Sequence, residues 1–139
     1  MLRPSHVVSL QHSRVQGLVS DRRAEGRRSE DRAAEFLLAR GYELVERNFT
    51  SRYGEIDLVC RDGDTLVFVE VKMRRPSSYG TAEEAVSPAK QRRLINAAED
   101  YLQRTGDSET PARFDVVAMG RPARGEDASI RLIRNAIET

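Results

Sequence analysis

Apolar positions along the 139-residue chain fall into a succession of helical and strand periods. In "SEDRAAEFLLARG", Ala33, Ala34, Leu37 and Leu38 have the spacing of one buried helical stripe, and Gly41 marks its end. Order is expected to begin near Gly26. "YELVERNF" predicts a first strand over 42–49. "GEIDLVC" and "TLVFVEVKM" alternate as two more, joined through "RDGD", where Asp-Gly is a strong hairpin signal. "RPSSYGTAEEAV" is a loop. "SPAKQRRLINAAEDYLQRTG" has the boundary marks of a helix: Ser87 as N-cap, Pro88 as first helical residue, Gly106 as stop. Leu94, Ala97, Ala98, Tyr101 and Leu102 form its apolar stripe. "ARFDVVAM" and "SIRLIR" predict two final strands around a polar loop at 120–128. The order αβββαββ predicts an α/β sandwich with a mixed sheet.

The third strand breaks its own pattern. Val67, Val69 and Val71 share one face, and Leu66, Phe68, Glu70 and Lys72 share the other. Apolar residues on both faces predict a central strand covered on both sides. A lone buried carboxylate costs several kcal/mol unless it is paired or bound to a metal. With Asp62 and Gly63 as the loop, Arg61 pairs with Asp64, Asp57 lies opposite Phe68, and Glu55 lies opposite Glu70. In that register Glu55, Asp57 and Glu70 crowd together with Lys72 beside them, so a positive charge is required among them. Lys72 is one candidate and a divalent cation the other. Glu30 falls in the middle of the first helix's apolar arc and is expected to point inward.

These are hard oxygen ligands, which suit Mg2+. Zinc prefers His or Cys, and neither lies near this cluster. A magnesium ion held by Asp57 and Glu70 would polarise a phosphodiester, and Lys72 would orient water or neutralise phosphate charge. "EVK" by itself reads as a salt bridge on an edge strand. Asp57 on the same face and the inward Glu30 change that reading.

Composition narrows the class. The chain has 39% hydrophobic and 32% charged residues, as expected for one polar globular domain. No apolar run approaches the roughly 18 residues of a membrane span, and "VVSL" is too short for a signal-peptide core. The single Cys60 makes no disulfide framework and reads as a small buried hydrophobe, so a cytoplasmic protein with no membrane partner is expected. The net charge of +1 conceals local excesses. Residues 1–28 carry six arginines against Asp21 and Glu25, and 71–93 carry six cations against Glu83 and Glu84. Such stretches allow one face to meet a polyanion. Residues 1–25 show no sustained period and are expected to be a disordered arginine-rich extension ahead of a domain at 26–139. Lys90, at the N-terminal end of the second helix, is expected to contact a phosphate. Arg92 and Arg93 follow it, Arg74 and Arg75 follow the third strand, and Tyr53 and Tyr79 lie in flanking loops where they would stack on bases.

An acid on one strand, a hairpin turn and Glu-x-Lys on the next strand resemble the core of the PD-(D/E)XK nuclease superfamily. More closely, "GRRSEDRAAEFLLARGYELVERNF", "GEIDLVCRDGDTLVFVEVKMR", "VSPAKQRRL", "RFDVV" and "NAI" resemble, in order, the YraN-like family of bacterial proteins, over about 26–139. That family is grouped with archaeal Holliday-junction resolvases. The resemblance implies a restriction-endonuclease-like three-layer sandwich and an Mg2+- or Mn2+-dependent endonuclease acting on DNA or another nucleic acid, with branched or single-stranded DNA as candidate substrates. It implies Asp57, Glu70 and the Val71 carbonyl as metal ligands, Lys72 as catalytic, Glu30 as completing the site, and a homodimer by analogy. Ser29 departs from the family's usual glycine and Met73 from a common threonine. A nuclease fold that only binds nucleic acid is the alternative, and a structural protein whose acids pair with arginines is a third reading.

Overall fold

The computed structural model describes residues 21–74, 86–120 and 129–137, with the side chains of 21–25 and of Arg74 left aside. Helix α1 (Asp21–Ala39) is followed by strands β1 (Glu43–Ser51), β2 (Gly54–Asp62) and β3 (Thr65–Arg74), helix α2 (Pro88–Thr105), and strands β4 (Ala112–Gly120) and β5 (Ile130–Ile133). The five strands form one mixed sheet in sequential order. Only β3 and β4 run parallel, and α2 is the crossover between them. The expected order αβββαββ is therefore the observed one. α1 extends further toward the N-terminus than its apolar stripe indicated, starting at Asp21.

The helices cover opposite faces of the sheet, making three layers. On one face Ala33, Ala34 and Leu37 of α1 pack with Leu58, Cys60, Val67, Val69, Val117 and Met119. On the other, Leu94, Ala97, Ala98 and Tyr101 of α2 pack with Ile56, Val59, Leu66, Phe68, Phe114 and Val116. Tyr101 meets the rings of Phe49 and Phe68 edge-on at 5.1 and 5.6 Å. β3 is the central strand, buried from Leu66 to Glu70. One position of the expected α1 stripe is corrected: Leu38 is 50% exposed, because Ala34 and Leu37 already fill the line facing the sheet.

α2 is bounded as its sequence requires. Ser87 Oγ accepts from the Lys90 amide, Pro88 occupies the first turn, and Gly106 closes the helix at φ 76°. The β2–β3 hairpin differs from expectation by one step. Asp62 pairs with Thr65, leaving Gly63 and Asp64 as the loop in place of Asp62 and Gly63. Gly63, at φ 60°, takes the first loop position. Asp62 is held in the strand by Arg113 (2.8 Å) and Arg134 (3.1 Å), which explains the shift.

A buried polar network ties down the α1 face. Asp115 is 1% exposed. It accepts from the Tyr42 hydroxyl (2.8 Å), Arg113 Nε (3.1 Å) and the Asn135 amide (2.9 Å). "RFDVV" and "NAI" therefore meet in the fold, and Ala136 N–H completes the junction on the Phe114 carbonyl at 2.8 Å. Cys60 lies in the same layer, and burial followed by the Asp115 charge pushes its thiol up to about 12. It behaves as the buried hydrophobe expected of it. Among the described residues, no helix is long and apolar enough to cross a membrane.

Candidate metal centre

Asp57 sits where β1 and β2 change faces. On the β1–β2 ladder, Arg47 pairs with Leu58 and Phe49 with Ile56. Regular alternation would put Ile56 and Leu58 on one side. Instead Phe49 and Ile56 pack on the α2 face, whereas Leu58 packs on the α1 face and Arg47 reaches Asp31 of α1. Between the two pairs stand Asn48 and Asp57, and Asn48 has a left-handed backbone at φ 54°. Asparagine tolerates that conformation better than most residues. The switch leaves the Asp57 carboxylate at the seam between the layers.

Acids from both layers reach that seam. The carboxylates of Glu30, Glu55 and Asp57 each place an oxygen within 4.8 Å of the other two. Glu30 comes from α1 and has Asn48 as a polar neighbour. Burial, opposed by Asn48 and Arg47, raises the Glu30 carboxyl above its usual range. Glu55 follows Gly54, whose φ of 151° is rarely open to other residues and where an added Cβ would meet Arg93 Cβ at 3.6 Å. Glu70 arrives from the α2 face, 5% exposed. Because the hairpin register is one step from that expected, the continuation of the ladder brings Asp57, not Glu55, opposite Glu70.

Asp57 and Glu70 are neighbours lining one cleft, and the Val71 amide donates to Asp57 Oδ2 at 2.8 Å. Burial and the neighbouring Glu70 push the Asp57 carboxyl up to about 9, against the pull of the Val71 amide. An acid so buried beside a second carboxylate keeps its proton unless a cation offsets the charge.

Two lysines complete the arrangement. Lys90 Nζ lies 2.8 Å from Glu70 Oε2. Its approach is off the ideal direction, so among the described residues Glu70 Oε2 is buried without a directed hydrogen bond. Burial opposes the Lys90 charge, but Glu70 and Asp57 outweigh it and the ammonium is held above its usual range. Lys72 is lowered, by burial first and by the adjacent Lys90 second. Among the described residues, the ion pair to Glu70 thus comes from Lys90 rather than from Lys72. A cleft of about 240 Å³ opens onto this group, lined by Gly54, Glu55, Asp57, Glu70, Lys90, Arg93 and Leu94.

The other expected contacts divide. Arg93 lines the cleft, whereas Arg92 is exposed beside it. Tyr53 lies instead in a neighbouring pocket of about 350 Å³ with Asn96, Glu99, Asp100, Gln103 and Arg104, under the guanidinium of Arg52 at 4.9 Å. Arg75 and Tyr79 lie outside the described residues, as does the side chain of Arg74. The contact between Lys90 and Glu70 had one sequence signal: a lysine in the first turn of a helix that has no acid there. Asp115 had none beyond being a lone acid in an apolar strand.

The profile of the uncharacterised protein family UPF0102 matches residues 29–119. The chain belongs to this family. A UPF0102 protein of Symbiobacterium thermophilum is 52% identical over 114 residues, 82% of this chain and 96% of the relative. One from Stutzerimonas stutzeri is 45% identical over 122 residues, 87% of this chain and all of the relative. One from Desulfosudis oleivorans is 43% identical over 121 residues, 87% and 95% of the two chains. The YraN-like resemblance carried by "GEIDLVC" and "VFVEVK" is a resemblance to this same family. The UPF0102 match starts at Ser29, beside Glu30, and ends at Met119, so it takes in every acid of the site. Ser29 is buried at 7% exposure, consistent with a position limited to small residues.

Proposed function

We propose that this UPF0102 protein is a metal-dependent endonuclease that hydrolyses phosphodiesters in DNA, with branched or single-stranded DNA as the candidate substrates. The observation that carries the reading is the contact of Asp57 with Glu70 at the seam between the layers, with Glu30 and Glu55 close by. Such crowding of acids is unfavourable without a compensating cation.

The donor set fits Mg2+ or Mn2+. All the donors are hard oxygens: Glu30, Glu55 and Asp57 converge from a helix and one strand, and Glu70 of the next strand lines the same cleft with an oxygen that has no directed hydrogen bond among the described residues. Asp57 and Glu70 would hold the ion, with the Val71 carbonyl and Glu30 as further ligands. When bound, the ion would polarise the phosphate and lower the pKa of a coordinated water.

The chain's own residues supply the rest. Lys72 emerges beside Glu70 with its ammonium partly buried and its proton affinity lowered. It is suited to orient the attacking water and to balance charge building on the phosphate oxygens. The N-terminus of α2, with Lys90 and Arg93 at the cleft, offers a positive surface for the phosphates flanking the scissile bond. The Val71 amide fixes one oxygen of Asp57 and so sets the direction of the other. Arg74, Arg75, Arg92 and Tyr53 are proposed as outer nucleic-acid contacts.

The test is cleavage of four-way junction, flap, duplex and single-stranded DNA by purified protein, with and without Mg2+ or Mn2+. Metal-dependent cutting by the wild type that disappears in a folded Asp57→Asn variant is expected. Salt-sensitive binding without cutting, equal in the two proteins, would instead identify a binding module. Equal cutting by both would mark a contaminating nuclease.

A further inference from the structure

Lys90 is placed against the preference of its own helix. It is the third residue of α2, where the helix dipole disfavours a cation, and the first turn contains no acid to offset it. The position is fixed all the same: Ser87 caps the Lys90 amide at 3.2 Å, and Gln91 Nε2 donates to the Val86 carbonyl at 2.9 Å. What the lysine gains is Glu70, 2.8 Å away across the cleft.

That contact has two unusual features. Its geometry is off-direction, leaving Glu70 Oε2 with no directed donor although the residue is almost wholly buried. Its two ends are also unequally free. The Lys90 side chain is 35% exposed, against 5% for Glu70. The carboxylate is locked in the central strand, whereas the ammonium has a route outward along a flexible stem. Lys72 adjoins Lys90, so the two ammonium groups already repel one another. A divalent ion arriving at Glu70 would add to that repulsion, and Lys90 is the cation able to leave.

We infer that Lys90 is an exchangeable counter-ion: it neutralises Glu70 until a divalent cation takes the carboxylate, and then turns to a phosphate oxygen of the nucleic acid at the mouth of the cleft. The exchange rests on the metal-dependent reading above and adds a coupling to it. Metal binding releases the lysine that grips the substrate, and a bound phosphate, by holding Lys90 away from Glu70, favours metal binding in return.

The exchange is tested with the full chain and its Lys90→Gln and Lys90→Met variants, with Asp57→Asn as a control. Thermal unfolding is followed as MgCl2 or MnCl2 is raised, and binding of a fluorescent single-stranded oligonucleotide is followed by anisotropy in the same salts. Removing the competing ammonium should lower the metal concentration that gives half the thermal shift, by about threefold or more. The same variants should bind the oligonucleotide more weakly than wild type when metal is present, with a shallower salt dependence. A metal midpoint that is unchanged or raised in both variants, beside a clear wild-type shift abolished by Asp57→Asn, would overturn the exchange and leave the metal site standing. No metal-dependent shift in wild type or in either variant would overturn both.

Discussion

Asn48 and Asp57 face each other across the β1–β2 ladder at the point where both strands exchange the layer they pack against. The left-handed backbone of Asn48 permits the exchange, and its side chain is a polar neighbour that favours the charged form of Glu30. These two roles can be separated. Asn48→Gly keeps the backbone accessible and removes the amide, so urea unfolding should change by less than about 1 kcal/mol while the metal-induced thermal shift becomes smaller. Asn48→Val should cost roughly 1–2 kcal/mol, because a β-branched residue is strained at positive φ. Equal destabilisation by both would mean that Asn48 acts through its side chain alone.

The proton held by Asp57 makes stability depend on pH in a direction opposite to that of an ordinary salt-bridged acid. The Asp57 carboxyl is raised from 3.8 to about 9 by burial and by Glu70. The folded state therefore binds its proton more tightly than the unfolded chain. This contribution is fully present below the unfolded value and is lost progressively as pH rises toward about 9. Without metal, the melting temperature of wild type relative to Asp57→Asn should fall between pH 5 and pH 9. Saturating Mg2+ should reverse the trend, because the ion takes the place of the proton. Parallel pH profiles for the two proteins in chelator would refute a proton held on Asp57.

Lys72 contributes charge at the mouth of the site without taking the Glu70 ion pair, which belongs to Lys90. Its loss should therefore damage catalysis more than folding or metal binding. Lys72→Met is expected to slow cleavage by about 100-fold or more, in line with removal of a group that stabilises charge in the transition state. The thermal shift with Mg2+ should persist in the variant. Single-turnover cleavage beside a metal titration separates the two effects, and loss of the metal shift would reassign Lys72 to the support of the acids.

How much of this was legible in the sequence depended on whether each feature repeats locally. The α2 stripe of Leu94, Ala97, Ala98 and Tyr101 and the caps Ser87 and Gly106 follow from spacing and turn chemistry, and they appear as read. Glu70 could be recognised because a carboxylate interrupts an otherwise apolar strand. The hairpin register was one step off because Asp62 is held by Arg113 and Arg134, from β4 and the segment after β5, which no local turn rule includes. The face exchange at Asn48 and Asp57 was hidden for a related reason. Strict alternation through "GEIDLV" is broken by a single left-handed residue on the neighbouring strand. Glu55 could be seen crowding its neighbours in sequence, but the wrong register set it against Glu70 instead of grouping it with Glu30.

The network around Asp115 lies in the α1 layer, away from the acids, and supports the sheet rather than the chemistry. Arg113 bonds Asp115 and Asp62 together and also donates to the Tyr42 hydroxyl at 2.8 Å. Its removal strands a carboxylate that is almost wholly buried. Arg113→Met is therefore expected to destabilise the protein by about 3–5 kcal/mol, the range for breaking a buried ion pair from one side. Replacing both partners, as Arg113→Met with Asp115→Asn, should recover part of that loss, because the uncharged amide can accept the Asn135 N–H with its oxygen and donate from its nitrogen to the Tyr42 hydroxyl oxygen that Arg113 vacates. A double-mutant cycle by urea unfolding gives the coupling between them. At temperatures where the variants remain folded, their metal midpoints should match wild type, since the register Val69–Asp115 and Glu70–Val116 puts Asp115 and Glu70 on opposite faces of the sheet. A metal midpoint that moves with Arg113→Met would mean that the two layers communicate through β3.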